Sequence, residues 1–241
     1  MILMIRHNVS DNPLIMPINY NYILQSIIYE KLSFQKEIAD FIHNSGFVYD
    51  KRAYKAFQFS SIKGHYKVQD HKIQFDEDIT WEIRSTDKEI IELIKRRIDA
   101  EGICYKNQKY NNIEAVIYES IIPEDNIKIK MQTPICVYST DKRSGKIKYY
   151  SPSEEEFYQL VEDNFKRKYN AFYGVEPDDG IKFQLIKYSD RDKVVTRYKS
   201  KIISGWKGIY VLSGDKKYLE FLYDVGLGTR NAQGFGMFSV I

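Results

Sequence analysis

Apolar residues recur along this chain at two periods. Residues 1–6 are a short, mostly apolar run that reads as a strand. Over 20–32, Ile23, Leu24, Ile27, Ile28 and Leu32 fall three and four apart, which gathers them on one face of a helix. Phe34, Ile38, Phe41 and Ile42 make a second stripe, predicting a helix over 34–44 that Gly46 is placed to end. Residues 55–62 and 72–83 alternate as strands do, with Gly64 in the turn between them. A helix over 87–100 is closed by Gly102, and 114–119 is a further strand.

Around Pro123 the order restarts. Strands are predicted over 127–138 and 146–150, with Ser144 and Gly145 turning between them. Ser151-Pro152-Ser153-Glu154 reads as a helix start, with Ser at the N-cap, Pro at the first position and Glu at the third. The helix carries Phe157, Leu160, Val161, Phe165 and Phe172 on one side, and Gly174 stops it. Strands over 181–188, 194–204 and 206–212 follow, then a short helix over 215–223, a glycine-rich loop and a last strand over 237–241. Each half approximates β-α-β-β-α-β, the order of the ferredoxin-like module that the RNA-recognition fold shares. The fold class expected is therefore α+β, with two tandem ferredoxin-like (RRM-like) domains, 1–122 and 123–241.

Composition changes this picture little. The 241 residues include 20 Tyr and 13 Phe, which suits base stacking and a large aromatic core equally. The net charge of +3 does not announce a nucleic-acid partner, but residues 182–207 hold eight Lys or Arg against two Asp. That stretch reads either as a phosphate track or as a solvated hairpin. Cys104 and Cys136 stand in no paired motif, so neither a disulfide framework nor a zinc site is expected, and both read as reduced cysteines of a cytoplasmic protein. No run approaches the ~20 apolar residues of a membrane span, and five apolar residues at the N-terminus are too few for a signal peptide.

The most specific feature is Gly226-Leu227-Gly228-Thr229-Arg230-Asn231-Ala232-Gln233-Gly234-Phe235-Gly236. Its glycines permit positive φ and a close approach of backbone N–H groups to an anion. Arg230, at its centre, can donate two bonds to one phosphate. A dinucleotide fingerprint needs strand, glycines and helix in that order, whereas here a helix precedes and a strand follows. A Walker loop is excluded because no Gly-Lys-Ser/Thr follows. The segment Gly234-Phe235-Gly236-Met237-Phe238 matches the aromatic strand of the RNA-recognition motif only in part.

Gly-Leu-Gly, five small or polar residues and Gly-Phe-Gly near the C-terminus resembles the signature of the CRISPR-associated endoribonucleases that process repeat RNA, within the RAMP superfamily. Pro17–Tyr22, Phe41–Phe47, Lys55–Ser60, Ser151-Pro152 and Phe165–Gly174 are similar to the same family, in matching order. The resemblance implies repeat-RNA cleavage without a cofactor or metal. RNA is the implied partner; CRISPR interference-complex proteins and a second copy of the chain are further candidates, and no membrane is implied. His43 falls where the family's usual catalytic histidine sits. The helical wheel sets it opposite the apolar stripe, near 180° when the stripe centres near 25° at ~100° per residue, and an imidazole can serve as acid or base. Tyr29 matches a family tyrosine that acts as a base, positions the ribose or stacks on a base; Lys55 matches a lysine able to neutralise charge on phosphorus. Gly226, Gly228, Arg230, Asn231, Gln233, Gly234 and Gly236 are the expected RNA contacts, extended by Lys142 and Arg143. His7, His65 and His71 show no metal-ligand spacing. Two other readings stay open: a non-catalytic RNA-binding relative, and a structural subunit of an interference complex.

Overall fold

A computed structural model describes residues 1–35, 46–198 and 201–241. Two four-stranded antiparallel sheets organise it. The first uses β1 (Ile2–Asn8), β5 (Phe57–Phe59), β8 (Asp78–Ser85) and β11 (Glu114–Tyr118), in the spatial order β11-β1-β8-β5. Helix α1 (Asn21–Leu32) leads from β1 towards β5, and α2 (Lys88–Glu101) joins β8 to β11. The second sheet uses β12 (Asn126–Met131), β15 (Lys182–Lys187), β18 (Ile209–Ser213) and β19 (Phe238–Val240), in the order β15-β18-β12-β19. Helices α3 (Glu155–Tyr173) and α4 (Lys216–Val225) are its crossovers. Counted along the chain, both sheets have the order 4-1-3-2 of the ferredoxin-like module, and the fold is α+β as expected.

Each sheet buries its own core. Leu3, Ile5, Trp81 and Ile83 meet Leu24, Ile28, Ile91 and Ile94 beneath the first. Ile127, Ile129, Tyr210 and Leu212 meet Phe157, Val161, Phe165 and Leu222 beneath the second. The alternation of buried and exposed residues along β12 is that of a half-buried strand. Two helices start on a capping carboxylate. The Asp87 and Asp215 carboxylates accept the N–H groups of Glu89 and Lys217 at the starts of α2 and α4. Helix α3 starts later than expected. Residues 152–154 form a turn, Glu154 rather than Ser151 is the N-cap, and Glu154 Oε2 instead accepts the Ser151 N–H at 2.8 Å.

Several expected strands divide. Residues 72–83 split into β7 (Lys72–Phe75) and β8, because β7 leaves the main sheet to pair with β2 (Leu14–Pro17) and β6 (Tyr66–Gln69). Residues 127–138 end as a strand at Met131, and β13 (Tyr138–Thr140) pairs with β14 (Ile147–Tyr149). Residues 194–204 are a hairpin of β16 (Lys193–Tyr198) and β17 (Lys201–Trp206). Two further hairpins, β3 (Phe47–Tyr49) with β4 (Arg52–Tyr54) and β9 (Ile103–Tyr105) with β10 (Gln108–Tyr110), had no sequence counterpart. Most of the helix expected over 34–44 lies outside the described residues. No helix among the described residues is long and apolar enough to cross a membrane.

Arg84 joins the two sheets. Its guanidinium, 1% exposed, donates to Glu82 Oε1 at 2.8 Å and to the backbone oxygens of Phe238 at 2.8 Å and Tyr223 at 3.3 Å. It also lies 3.8 Å from the centre of the Tyr223 ring. Beside it, Gln58 Nε2 donates to the Tyr223 carbonyl at 2.7 Å.

Candidate active site

The sequence of α1 has a second stripe besides its apolar one. Asn21, Gln25 and Tyr29 stand four apart and so share a face. That face meets the glycine-rich loop. Asn21 Nδ2 donates to the Gln233 carbonyl at 2.9 Å, and Gln25 Nε2 donates to the Ala232 carbonyl at 2.5 Å. Gln25 Oε1 in turn accepts the Tyr198 hydroxyl from β16. One turn further along, Tyr29 packs edge-on against Phe57 at 5.7 Å between ring centres and lines a cleft of about 380 Å³. The cleft is walled by α1, by β4 with the residue that follows it (Lys55), by α3 and by the loop.

Of the residues expected at a catalytic centre, Tyr29 and Lys55 line this cleft together, with Arg230 and Gln233 opposite. His43 lies outside the described residues. Gly46, three residues after it in sequence, has a φ of +63° and packs against the Tyr54 carbonyl and the Lys55 side chain. Burial, and then the neighbouring Tyr198 hydroxyl, push the Tyr29 phenol up to about 12. It therefore holds its proton at neutral pH and is a donor there. Burial also draws the Lys55 ammonium down from the usual lysine range.

The glycine-rich loop is closely packed, and part of its backbone bonds within the protein. Gly226, Gly228, Gly234 and Gly236 are buried, all at positive φ. Most loop amides are already bonded within the protein: Leu227 N–H to the Gly236 carbonyl, Thr229 N–H to that of Cys136, Gly234 N–H to that of Asn231, and Gly236 N–H to that of Pro134. A Cβ on Gly226 would lie 2.5 Å from Asn231 Nδ2, and one on Gly234 would lie 2.6 Å from Asn21 Nδ2. These glycines allow close packing within the loop. Asn231 is packed into the loop as well. It is 8% exposed, its Nδ2 donates to the Leu227 and Phe235 carbonyls at 3.0 Å each, and its Oδ1 accepts a bond from Lys168. Phe235 and Phe238 are buried, so neither is a stacking platform.

Lys168 is the residue that sequence reasoning missed. From α3 its ammonium reaches Gly226 O at 2.7 Å, Asn231 Oδ1 at 2.8 Å and Gly228 O at 3.1 Å. Three inward acceptors thus share one buried cation, and this fixes the loop from beneath. Burial drives that ammonium down to about 7. The available signal was its place on the apolar face of α3, in register with Val161 and Phe165.

Arg230 is the charged side chain that the loop brings to the cleft. It sits at the loop's crest in the left-handed region, φ +63°. Its Nη1 donates to Gln233 Oε1 at 3.2 Å, and its guanidinium lies 5.1 Å from the centre of the Tyr138 ring. Lys142 and Arg143 are exposed but not in the cleft. They occupy the turn beyond β13, which the Asp141 carboxylate closes by accepting the Arg143 and Ser144 N–H groups. The basic stretch is a solvated hairpin along much of its length. Lys193 and Arg197 point outward from β16, while Thr196 faces in to donate to Asn19 Oδ1 at 2.8 Å. His65, without metal-ligand spacing in the sequence, is brought by the β6–β7 hairpin to 2.7 Å from Asp76 Oδ1 and 4.0 Å from Glu77 Oε1. Lys67, 3.1 Å from Asp76, already supplies that exposed group with a cation, and an ion pair accounts for it.

Comparison with known proteins bears on this arrangement as a whole. The family model described as CRISPR associated protein Cas6, C-terminal, matches residues 117–240. A CRISPR-associated endoribonuclease Cas6 of Methanocaldococcus jannaschii is 25% identical over 239 residues, spanning 95% of this chain and 88% of that protein. A solved structure described as the characterization of a Cas6-related gene from Pyrococcus furiosus superposes with a TM-score of 0.79 at 25% identity, covering 100% of this chain and 98% of that one. Another, described as a RAMP protein binding different RNA substrates, has a TM-score of 0.79 at 23% identity with the same coverage, and speaks for the fold. The matched stretch takes in the whole second sheet, Lys168 and the loop it fixes, and the chain belongs to the Cas6 family of CRISPR-associated proteins.

Proposed function

We propose that this chain is an endoribonuclease that cuts CRISPR repeat RNA without a metal, working as two domains, 1–122 and 123–241. The observation that carries the reading is the meeting of Tyr29, Lys55 and Arg230, from three distant stretches of a Cas6-family chain, in one cleft. RNA needs little from a protein to be cut. Its 2′-OH already stands beside the phosphate and attacks at high effective concentration. The 2′ oxygen loses its proton and bonds to phosphorus, the bond from phosphorus to the 5′ oxygen breaks, and that oxygen takes a proton. The products are a 2′,3′-cyclic phosphate and a 5′-hydroxyl. His43 supplies the proton-transfer group. Tyr29, protonated at neutral pH, donates a hydrogen bond to the ribose or phosphate and is not the base. The Lys55 ammonium offsets charge on the phosphorane. Arg230 holds a flanking phosphate.

The test is cleavage of labelled repeat RNA in EDTA. The wild type should cut; a 2′-deoxy residue at the scissile position should stop it; His43→Ala should bind RNA but not cut. Tyr29→Phe should slow cutting about 10²-fold, as for loss of one transition-state donor. Binding without cutting by the wild type would overturn the nuclease reading, and undiminished cutting by His43→Ala would remove that histidine.

A further inference from the structure

Helix α3 turns Phe157, Val161 and Phe165 into the second core, and its buried face then becomes polar at Asn164 and Lys168, one turn apart. Both line the cleft. The donors of Lys168 are taken by three loop acceptors. Asn164 is the opposite case. It is 3% exposed, and among the described residues neither Nδ2 nor Oδ1 has a hydrogen-bond partner. Buried amides almost always find partners, because one without them bears its full desolvation cost. This one is held in a cleft whose wall also presents the Tyr138 ring with the Arg230 guanidinium near it. A ring and a guanidinium plane stack a base, and a carboxamide offers one donor beside one acceptor, which reads a base edge.

We infer that Asn164 is a specificity-determining residue that recognises one adenine of the bound RNA through its amide. Adenine sets an amino donor beside a ring-nitrogen acceptor, the complement of a carboxamide, and its two-ring face stacks more fully on the Tyr138 ring than that of cytosine, whose N4/N3 edge has the same pattern. The N7/O6 edge of guanine needs two donors, and Lys168 has none to spare beside Asn164. The inference rests on the proposal that RNA occupies this cleft, but it does not require that the RNA be cut.

The experiment selects bound molecules from a random single-stranded 2′-fluoro RNA pool, which 2′-OH attack cannot cleave, using the full chain and its Asn164→Ala and Asn164→Asp variants. The wild type should enrich adenine at one position. Asn164→Ala should lose that enrichment by about tenfold and keep the preferences at other positions. Asn164→Asp should favour cytosine there, whose amino group donates to a carboxylate. Identical enrichment in all three proteins, loss spread evenly over every position, or a preference for another base would overturn the inference. Cutting of the unmodified pool is scored separately. A wild type that enriches adenine yet leaves unmodified RNA intact sinks the nuclease reading and upholds this one.

Discussion

At Gly236 a methyl group would overlap the Leu227 carbonyl oxygen, and φ is +81°. Gly145 has a similar φ, +66°, but open space around it. The two separate backbone strain from steric clash. Gly145→Ala should cost about 1 kcal/mol, the penalty of the left-handed region alone. Gly236→Ala should cost about 3 kcal/mol or more, since overpacking adds to it. Urea unfolding of both variants checks this, and equal losses would mean that Gly236 is not pressed against its neighbour. Lys168 offers a second test. Its folded value is near 7, against about 10.4 in an unfolded chain. Between those pH values the folded state binds fewer protons, so this group's contribution to stability rises with pH there and is constant below about 7. Relative to Lys168→Met, the wild type should gain about 1 kcal/mol per pH unit from roughly pH 7.5 to 9.5. Parallel stability curves would place the ammonium elsewhere on the scale. The sequence named the loop but not its construction. Glycine spacing reveals positive φ and cannot say whether amides face a ligand or the protein's own carbonyls.

Helix α1 shows what one element adds. Its apolar stripe was plain, because Ile and Leu at helical spacing have one use. The polar stripe of Asn21, Gln25 and Tyr29 has the same periodicity, but polar residues on a helix are ordinarily just solvated, so only the loop opposite gives it meaning. Gln25→Ala removes the bond to Ala232 and the acceptor for Tyr198, which couple α1 to the loop and to β16. If these bonds set the position of Tyr29, RNA cleavage should fall about tenfold or more, a misplacement effect, while RNA affinity changes less. Single-turnover cleavage at saturating protein measures it, and a wild-type rate would leave Gln25 a bystander. Strand lengths were harder to read. The alternation over 72–83 keeps its phase across Asp76-Glu77-Asp78 although the chain changes sheets between β7 and β8, since alternation reports one buried face and not which partner buries it.

For the whole molecule the decisive contact is Arg84, one residue beyond the alternating run over 72–83 and so given no role by the sequence. Its charge is buried with Glu82 and spans both sheets. Arg84→Met strands the Glu82 carboxylate and should cost about 3–5 kcal/mol, with Glu82→Gln in the same chain restoring part of it. Chemical denaturation of the single and double variants decides this; a loss under 1 kcal/mol would show that the halves dock without it. The repeated β-α-β-β-α-β order was legible because each half has its own complete set of stripes. How the halves face each other was not, since single bonds such as Arg84 to Phe238 O leave no periodic trace.

The cleft is assembled from both repeats: Tyr29 and Lys55 come from one, Asn164, Lys168 and Arg230 from the other. Its shape is thus inherited jointly. A chimera grafting residues 1–122 of this chain onto the corresponding partner half of a distant relative would receive two sound folds and walls that had never been fitted together. Substitutions facing each other across this seam should be tolerated in matched sets more readily than alone, so an engineer who wants a new RNA preference has to redesign both banks at once.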